Sequence, residues 1–296
     1  MAVLVHAGYH KTGSTWLQTR FFPRHPHLML PWRTADVERV LVHVHPLRFD
    51  AEAARAALRP GLEAATAEGL VPVVSAERLS GSPLFGGFDA PETLARIKEV
   101  FPEATLWLSL RNQVDAIASY YREYVTGGGQ ARLPEFLRGL VRSEHDSVLL
   151  QHYDYVPLLR HARGLFGDRL LVTLFERFQQ DPAAEMRKVC DRLDVPLHPE
   201  DFDFRPVRGG LRDGGVRFLR PLNAFFEEPG TLAHGAFRLP GRKAVVKMAA
   251  RRNGRPWLRS AVAEHVGGRY DEPNRALAAF LGEDPDALRG LGWRVA

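Results

Sequence analysis

Cysteine is nearly missing from this chain: Cys190 is the only one among 296 residues. A lone thiol excludes an internal disulfide and, with no Cys-x-x-Cys pair, the common sulfur frame of a structural zinc; a buried free thiol in a reducing compartment is expected. Long apolar runs are also missing. No stretch approaches the roughly 18 apolar residues of a membrane span, and Met1 to Ala7 is far too short for a signal-peptide core, so a soluble cytoplasmic protein is expected. Charge of one sign is scarce as well: 40 Lys and Arg against 35 Asp and Glu leave a net +5. That surplus is too small to point to nucleic acid, and being mostly arginine it suits a polyanionic small ligand. Internal repeats and low-complexity tracts are lacking. What remains is 45% hydrophobic residues, enough to bury a full core, read here as one domain over 1–296.

Four short apolar runs read as buried strands: Val3 to Ala7, Val71 to Ser75, Ala104 to Leu110 and Leu170 to Leu174. Helical segments lie between them, at Ala51 to Ala67 (interrupted in composition by Pro60-Gly61), Pro91 to Val100, Val114 to Val125 and Tyr155 to Phe166. Strands alternating with helices predict an α/β protein in three layers, a central parallel sheet of four to five strands flanked by helices, with ligands beyond the carboxyl ends of the strands.

At the first such end stands His10-Lys11-Thr12-Gly13-Ser14-Thr15-Trp16. Small residues let backbone N–H groups converge on an anion, the helix start at Thr15 adds its positive dipole end, and Lys11 supplies an ammonium. An ATP or GTP cradle requires Gly-x-x-x-x-Gly-Lys-Ser/Thr, and here the lysine precedes the glycine. Lys-Thr-Gly-Ser-Thr-Trp instead resembles the loop that holds the 5'-phosphate end of 3'-phosphoadenosine 5'-phosphosulfate (PAPS) in sulfotransferases. An ordinary capped strand-to-helix turn is the plainer alternative.

A second motif is similar to the same family. PAPS sulfotransferases carry an arginine directly after a buried strand and a serine eight residues later, both on the donor's 3'-phosphate; Arg111 and Ser119 stand at that spacing, with Gln113 where the family has proline. A third match follows Leu170 to Leu174: Phe175-Glu176-Arg177, then Asp181-Pro182 opening a helix with Asp181 as its cap, then Leu193-Asp194-Val195-Pro196. Phe175 occupies the place of an adenine-side tyrosine and serves equally as core. A late basic-glycine segment closing over the 3'-phosphate is matched loosely by Arg208-Gly209-Gly210, with Arg212 as the alternative.

The resemblance, spanning residue 3 to about 215, implies a nucleotide-kinase-like fold and a bacterial, carbohydrate-sulfotransferase-like enzyme. It implies PAPS as donor, adenosine 3',5'-bisphosphate (PAP) as product, no required metal, and a glycan or small-molecule hydroxyl as acceptor. Donor contacts then fall to Lys11, Thr12, Gly13, Ser14, Thr15, Trp16 (packed behind the loop), Arg111, Ser119 and Arg208. Lys11 acts on the bridging oxygen. Ser75-x-Glu77 matches members that use a glutamate base after this strand, so Glu77 is the expected general base, with His10 as the alternative; a structural Glu77 would cap a helix or pair with Arg78 or Arg111. A kinase, or a catalytically inert PAP-binding protein, is the competing function. His43-x-His45 lacks a third ligand for a metal. Residues 127–147, with Gly127-Gly128-Gly129, and the basic stretch 227–255 read as lids or acceptor walls, or as solvated surface. The terminal helix Tyr270 to Leu281 is expected to pack on the sheet, with Asn274 and Arg275 as caps or surface residues. A homodimer stays open.

Overall fold

All four apolar runs become parallel strands in the structure, a computed structural model that describes residues 2–139, 147–205, 207, 210–226 and 241–295. They are β1 (Leu4–His6), β3 (Val71–Ser75), β4 (Thr105–Leu110) and β5 (Leu170–Leu174); a two-residue strand, β2 (Leu28–Met29), joins them. Their order is β2-β3-β1-β4-β5. Every pairing is parallel, with Leu4 opposite both Val73 and Thr105. β2 pairs with Val71 and Pro72 and was beyond reach of periodicity, since two residues carry no period.

Burial on both sides explains why the strands are apolar throughout rather than alternating. One face, with Val5, Val74, Leu106 and Leu108, packs against the helices Ala51–Ala67, Ala90–Val100, Gln113–Thr126 and Tyr155–Phe166. The other, with Leu4, Val73 and Trp107, packs against Trp16, Phe21 and the Pro182–Arg192 helix through Met186, Val189 and Cys190. Three layers result, the nucleotide-kinase-like arrangement expected from the sequence. Cys190 is fully buried 3.5 Å from the His25 ring nitrogen, and burial pushes its thiol up to about 12. Such a thiol is unreactive.

Local signals set the helix ends. Asp50 accepts from the Glu52 and Ala53 N–H groups at 2.9 and 3.1 Å, and the helix it opens runs through Pro60 to Ala67. Gly61 is required there because a Cβ would stand 2.5 Å from the Trp32 ring. Asp181 caps its helix through the Ala184 N–H at 3.0 Å. Asp181→Ala is expected to cost about 1 kcal/mol, the usual value of an N-cap, and to lower Tm by about 2–4 °C in a differential scanning experiment.

β1 lies between β3 and β4, so the connections leaving the sheet centre diverge at its carboxyl end. That divergence opens the crevice in which doubly wound sheets bind ligands. The chain enters it directly after His6.

Candidate functional site

The stretch after β1 is shaped before any ligand arrives. Ala7 and Tyr9 continue the strand, their N–H groups donating to the Trp107 and Ser109 carbonyls at 2.9 and 3.0 Å. Thr12 then folds its hydroxyl back onto the Tyr9 carbonyl at 2.6 Å. Lys11 sits at φ +73° and Gly13 at φ +94°, so the turn alternates between left-handed and ordinary backbone. A lysine held there costs about 1–3 kcal/mol, an outlier of the kind kept at functional sites. Gly13 precedes the helical turn Ser14–Trp16, which widens into a π-type turn over Leu17–Phe21. Its backbone accepts the left-handed angle freely, and a Cβ would stand only 3.3 Å from the Phe175 ring. The Trp16 and Leu17 N–H groups return to the Gly13 carbonyl at 2.9 and 3.2 Å, and the N–H groups just before them lie at the start of the helical turn, an arrangement suited to an anion.

Behind the cradle, Trp16 is buried and its indole N–H donates to the Asp203 carbonyl at 2.8 Å. Its ring packs on Phe21, Phe178 and Phe204, so it supports the loop rather than facing the crevice. Gln18 donates to the Ser75 carbonyl at 3.2 Å and to its hydroxyl at 3.0 Å, while the His6 ring meets that hydroxyl at 2.8 Å. Ser75 therefore ties the cradle helix to the end of β3, two residues before Glu77. Thr15 is exposed at the open side of the first turn.

Glu77 begins the short helical turn Glu77–Ser80, and Ser80 donates to the Glu77 carbonyl at 2.9 Å. Burial, then the charge of Glu123, raise the Glu77 carboxyl above the ordinary carboxylate range; Lys11 and the Ser14 hydroxyl beside it pull the other way. Glu77 is not paired with Arg78, whose guanidinium bonds Asp89 at 2.7 Å. Lys11 Nζ stands 3.6 Å from Glu123, a half-exposed pair of small intrinsic strength that an incoming anion displaces easily. His10 differs from Glu77. It is buried against the Tyr120 ring at 5.5 Å, and burial, then Arg78 and Lys11, lower its imidazole to about 3. A ring that weakly basic stays neutral at physiological pH and makes a poor proton acceptor.

Arg111, at the end of β4, brings the second motif to the first. Its Nη1 donates to the Lys11 carbonyl at 2.8 Å and its guanidinium lies over the Phe175 ring at 4.7 Å. Asn112 caps the next helix, its side-chain oxygen accepting from the Val114 N–H at 3.0 Å. Ser119 is half-buried along that helix and shares a face with Glu123 four residues on. The Lys11 ammonium, the Arg111 guanidinium and the Glu77 and Glu123 carboxylates thus come together around the turn after β1, with Ser119 one helical turn before Glu123. Their donor set fits a ligand with separated phosphates, because the cradle and Arg111 supply cationic and N–H donors in adjoining places.

Several participants carry weaker sequence signals. Glu123 is absent from the sequence reading, its one signal being its place one turn after Ser119, whereas Phe175, open between core and ligand, lies against Gly13 of the cradle. Gln113 is more than a tolerated replacement for proline: its amide is buried and donates to Asn274 at 2.6 Å. Asn274 is correspondingly buried rather than a cap or a surface group. Arg208 lies outside the described residues, as do 140–146 and 227–240 of the two lid segments; Arg212 donates to Asn253. The described part of the basic stretch forms the helix Arg242–Ala250, with Arg242 donating to the Thr126 carbonyl. His45 accepts from the Leu47 N–H at 3.2 Å and starts a helical turn. Among the described residues no helix is long and apolar enough to cross a membrane, and no cluster of three or more His, Cys, Asp or Glu could hold a metal ion.

Fold and site define a nucleotide-kinase-like α/β protein with an anion cradle at the switch point of its sheet. The model of the sulfotransferase family matches residues 4–199, and the chain belongs to that family. A sulfotransferase from Alicyclobacillus acidocaldarius is similar in structure over 98% of this chain and 99% of that one, with TM-score 0.57 and 18% identity, a likeness of fold. The sulfotransferase domains of the curacin biosynthetic pathway and of a Synechococcus olefin synthase align over 90% of this chain. They are covered over 98% and 94% of their own lengths, at 14% and 15% identity and TM-scores of 0.45 and 0.46, too low to carry an argument. No curated protein matches the sequence.

Proposed function

We propose that this sulfotransferase moves the sulfuryl group of PAPS onto a hydroxyl of a carbohydrate or small-molecule acceptor, with Glu77 as general base, within one domain over 1–296. The observation that carries the reading is the bond from the Arg111 guanidinium to the Lys11 carbonyl, which supports assigning the two motifs to one donor. Arg111 and Ser119 take the 3'-phosphate, and the N–H groups of residues 12 to 15 with the Thr15 hydroxyl take the 5'-phosphate. Lys11 exchanges Glu123 for the bridging oxygen.

Transfer is then a matter of position and charge. The acceptor oxygen bonds to sulfur as the bond from sulfur to the 5'-phosphate oxygen breaks, and the departing phosphate keeps the electron pair. Lys11 and the cradle N–H groups stabilise that charge, while the Glu77 carboxylate receives the hydroxyl proton. A carboxyl raised by burial suits this task better than an imidazole lowered to about 3.

Thermal shift tests the donor. PAP at a hundredfold excess over its Kd is expected to stabilise the protein by about 2.7 kcal/mol, and ATP with magnesium at the same concentration much less. Stabilisation by ATP-magnesium alone points instead to a kinase. Turnover of an acceptor screened with labelled PAPS separates an enzyme from an inert PAP-binding protein.

A further inference from the structure

The Arg111 turn is gripped from the far end of the chain. Three successive residues, 111 to 113, each have an anchor. The Arg111 carbonyl accepts from the Tyr155 hydroxyl at 2.6 Å. The Asn112 N–H donates to Glu176 Oε1 at 2.8 Å, and its side-chain amide donates to the Gly292 carbonyl. Gln113 and Asn274 exchange two amide hydrogen bonds, at 2.6 and 3.1 Å, and Asn274 also donates to the Arg294 carbonyl at 2.8 Å. Trp293 closes the circuit. Buried to 2% exposure, its indole N–H donates to Glu176 Oε2 at 3.1 Å and its ring stands edge-on to Tyr155 at 6.0 Å. Gly292, at φ +84°, supplies the turn that lets its carbonyl meet Asn112 while Trp293 points inward.

We infer that Trp293, acting through Glu176, and Asn274, acting through Gln113, are positioning residues for the donor: they hold the Arg111 backbone where its guanidinium serves the 3'-phosphate. The inference rests on the proposed PAPS site and adds to it residues beyond the 4–199 stretch that matches the family. The physical reason is that a fork of N–H donors repays its order only when the backbone beneath it is fixed; each net loosens if one member is removed, because its partners are buried and left unpaired. Glu176 matters most in this. It joins the Asn112 N–H to Trp293, and the other charged group facing it is Arg111; burial raises its carboxyl, and the Asn112 and Trp293 donors lower it.

The test is Trp293→Phe in the full chain, which keeps the ring and removes the N–H. PAP affinity and KM for PAPS are expected to weaken about five- to tenfold, with kcat and the acceptor KM within about twofold of wild type. The pH profile should change as well: with one donor gone, Glu176 takes up a proton at higher pH than in wild type, so the ratio of variant to wild-type PAP affinity, in which the titration of PAP itself cancels, should fall as pH is lowered. Asn274→Leu, which keeps the size and loses the amide without adding a titratable group, is measured alongside and is expected to weaken PAP binding without the Glu176 pH dependence. A folded variant of either kind with unchanged PAP affinity overturns the inference for its half of the clasp. Should wild-type protein itself fail to bind PAP, the donor assignment falls instead, and the two failures are told apart by that control.

Discussion

Glu77→Gln is expected to lower kcat roughly 10²- to 10⁴-fold, the range a positioned general base contributes, while PAP binding stays within about twofold. The glutamine keeps the shape of the side chain beside Ser14 and Lys11 and loses the charge and the ability to accept a proton. The acid limb of the wild-type kcat/KM profile should lie above the ordinary carboxylate range, since burial and Glu123 both disfavour the ionised form. The sign is definite: the base works ionised, so activity falls as pH drops through the raised value. Glu123→Gln removes one cause of the raise and releases Lys11 to favour the carboxylate further, so the limb should move to lower pH. Equal labelled-sulfate transfer by Glu77→Gln and wild type removes Glu77 from the reaction and sends the search to another acceptor of the proton.

Arg111→Ala is expected to weaken PAP binding by about two orders of magnitude. A hydrogen bond to a charged group contributes about 1.5–3 kcal/mol, and the arginine fork offers two, so even partial compensation by Ser119 leaves a hundredfold loss. The loss should appear in KM for PAPS more than in kcat, because the 3'-phosphate is remote from the transferred group. Arg111→Lys should recover little: it restores charge but neither the fork nor the planar stacking over Phe175 at 4.7 Å. Calorimetric titration with PAP checks both variants, and an affinity within threefold of wild type for Arg111→Ala would falsify the assignment of the 3'-phosphate to this residue.

Much of the fold was legible because every long strand is buried on both faces and so appears as an uninterrupted apolar run bounded by Gly, Pro or charge. Val71–Ser75 and Leu170–Leu174 coincide with the expected segments. β2 escaped because two residues have no pattern. The cradle was legible for a chemical reason: left-handed backbone, small side chains and a lysine leave a recognisable order in the chain, Lys11 before Gly13. Arg111 and Ser119 stood out through the resemblance of their spacing to the family's 3'-phosphate pair. Gln113 and Asn274 were not, since a buried amide pair 161 residues apart has no local signature and each amide alone looks like a turn or surface residue. Trp293 resembles any buried aromatic until its N–H is seen on Glu176.

Asn112 meets Gly292 across 180 residues of sequence. During synthesis the crevice after β1 and β4 is therefore chemically written long before it is mechanically finished: a ribosome-bound chain has already made the lysine loop and the arginine, but not the segment that steadies the latter. On the proposed donor site, affinity for PAP should then reach its full value only once the Gly292 to Arg294 segment has joined the Arg111 turn.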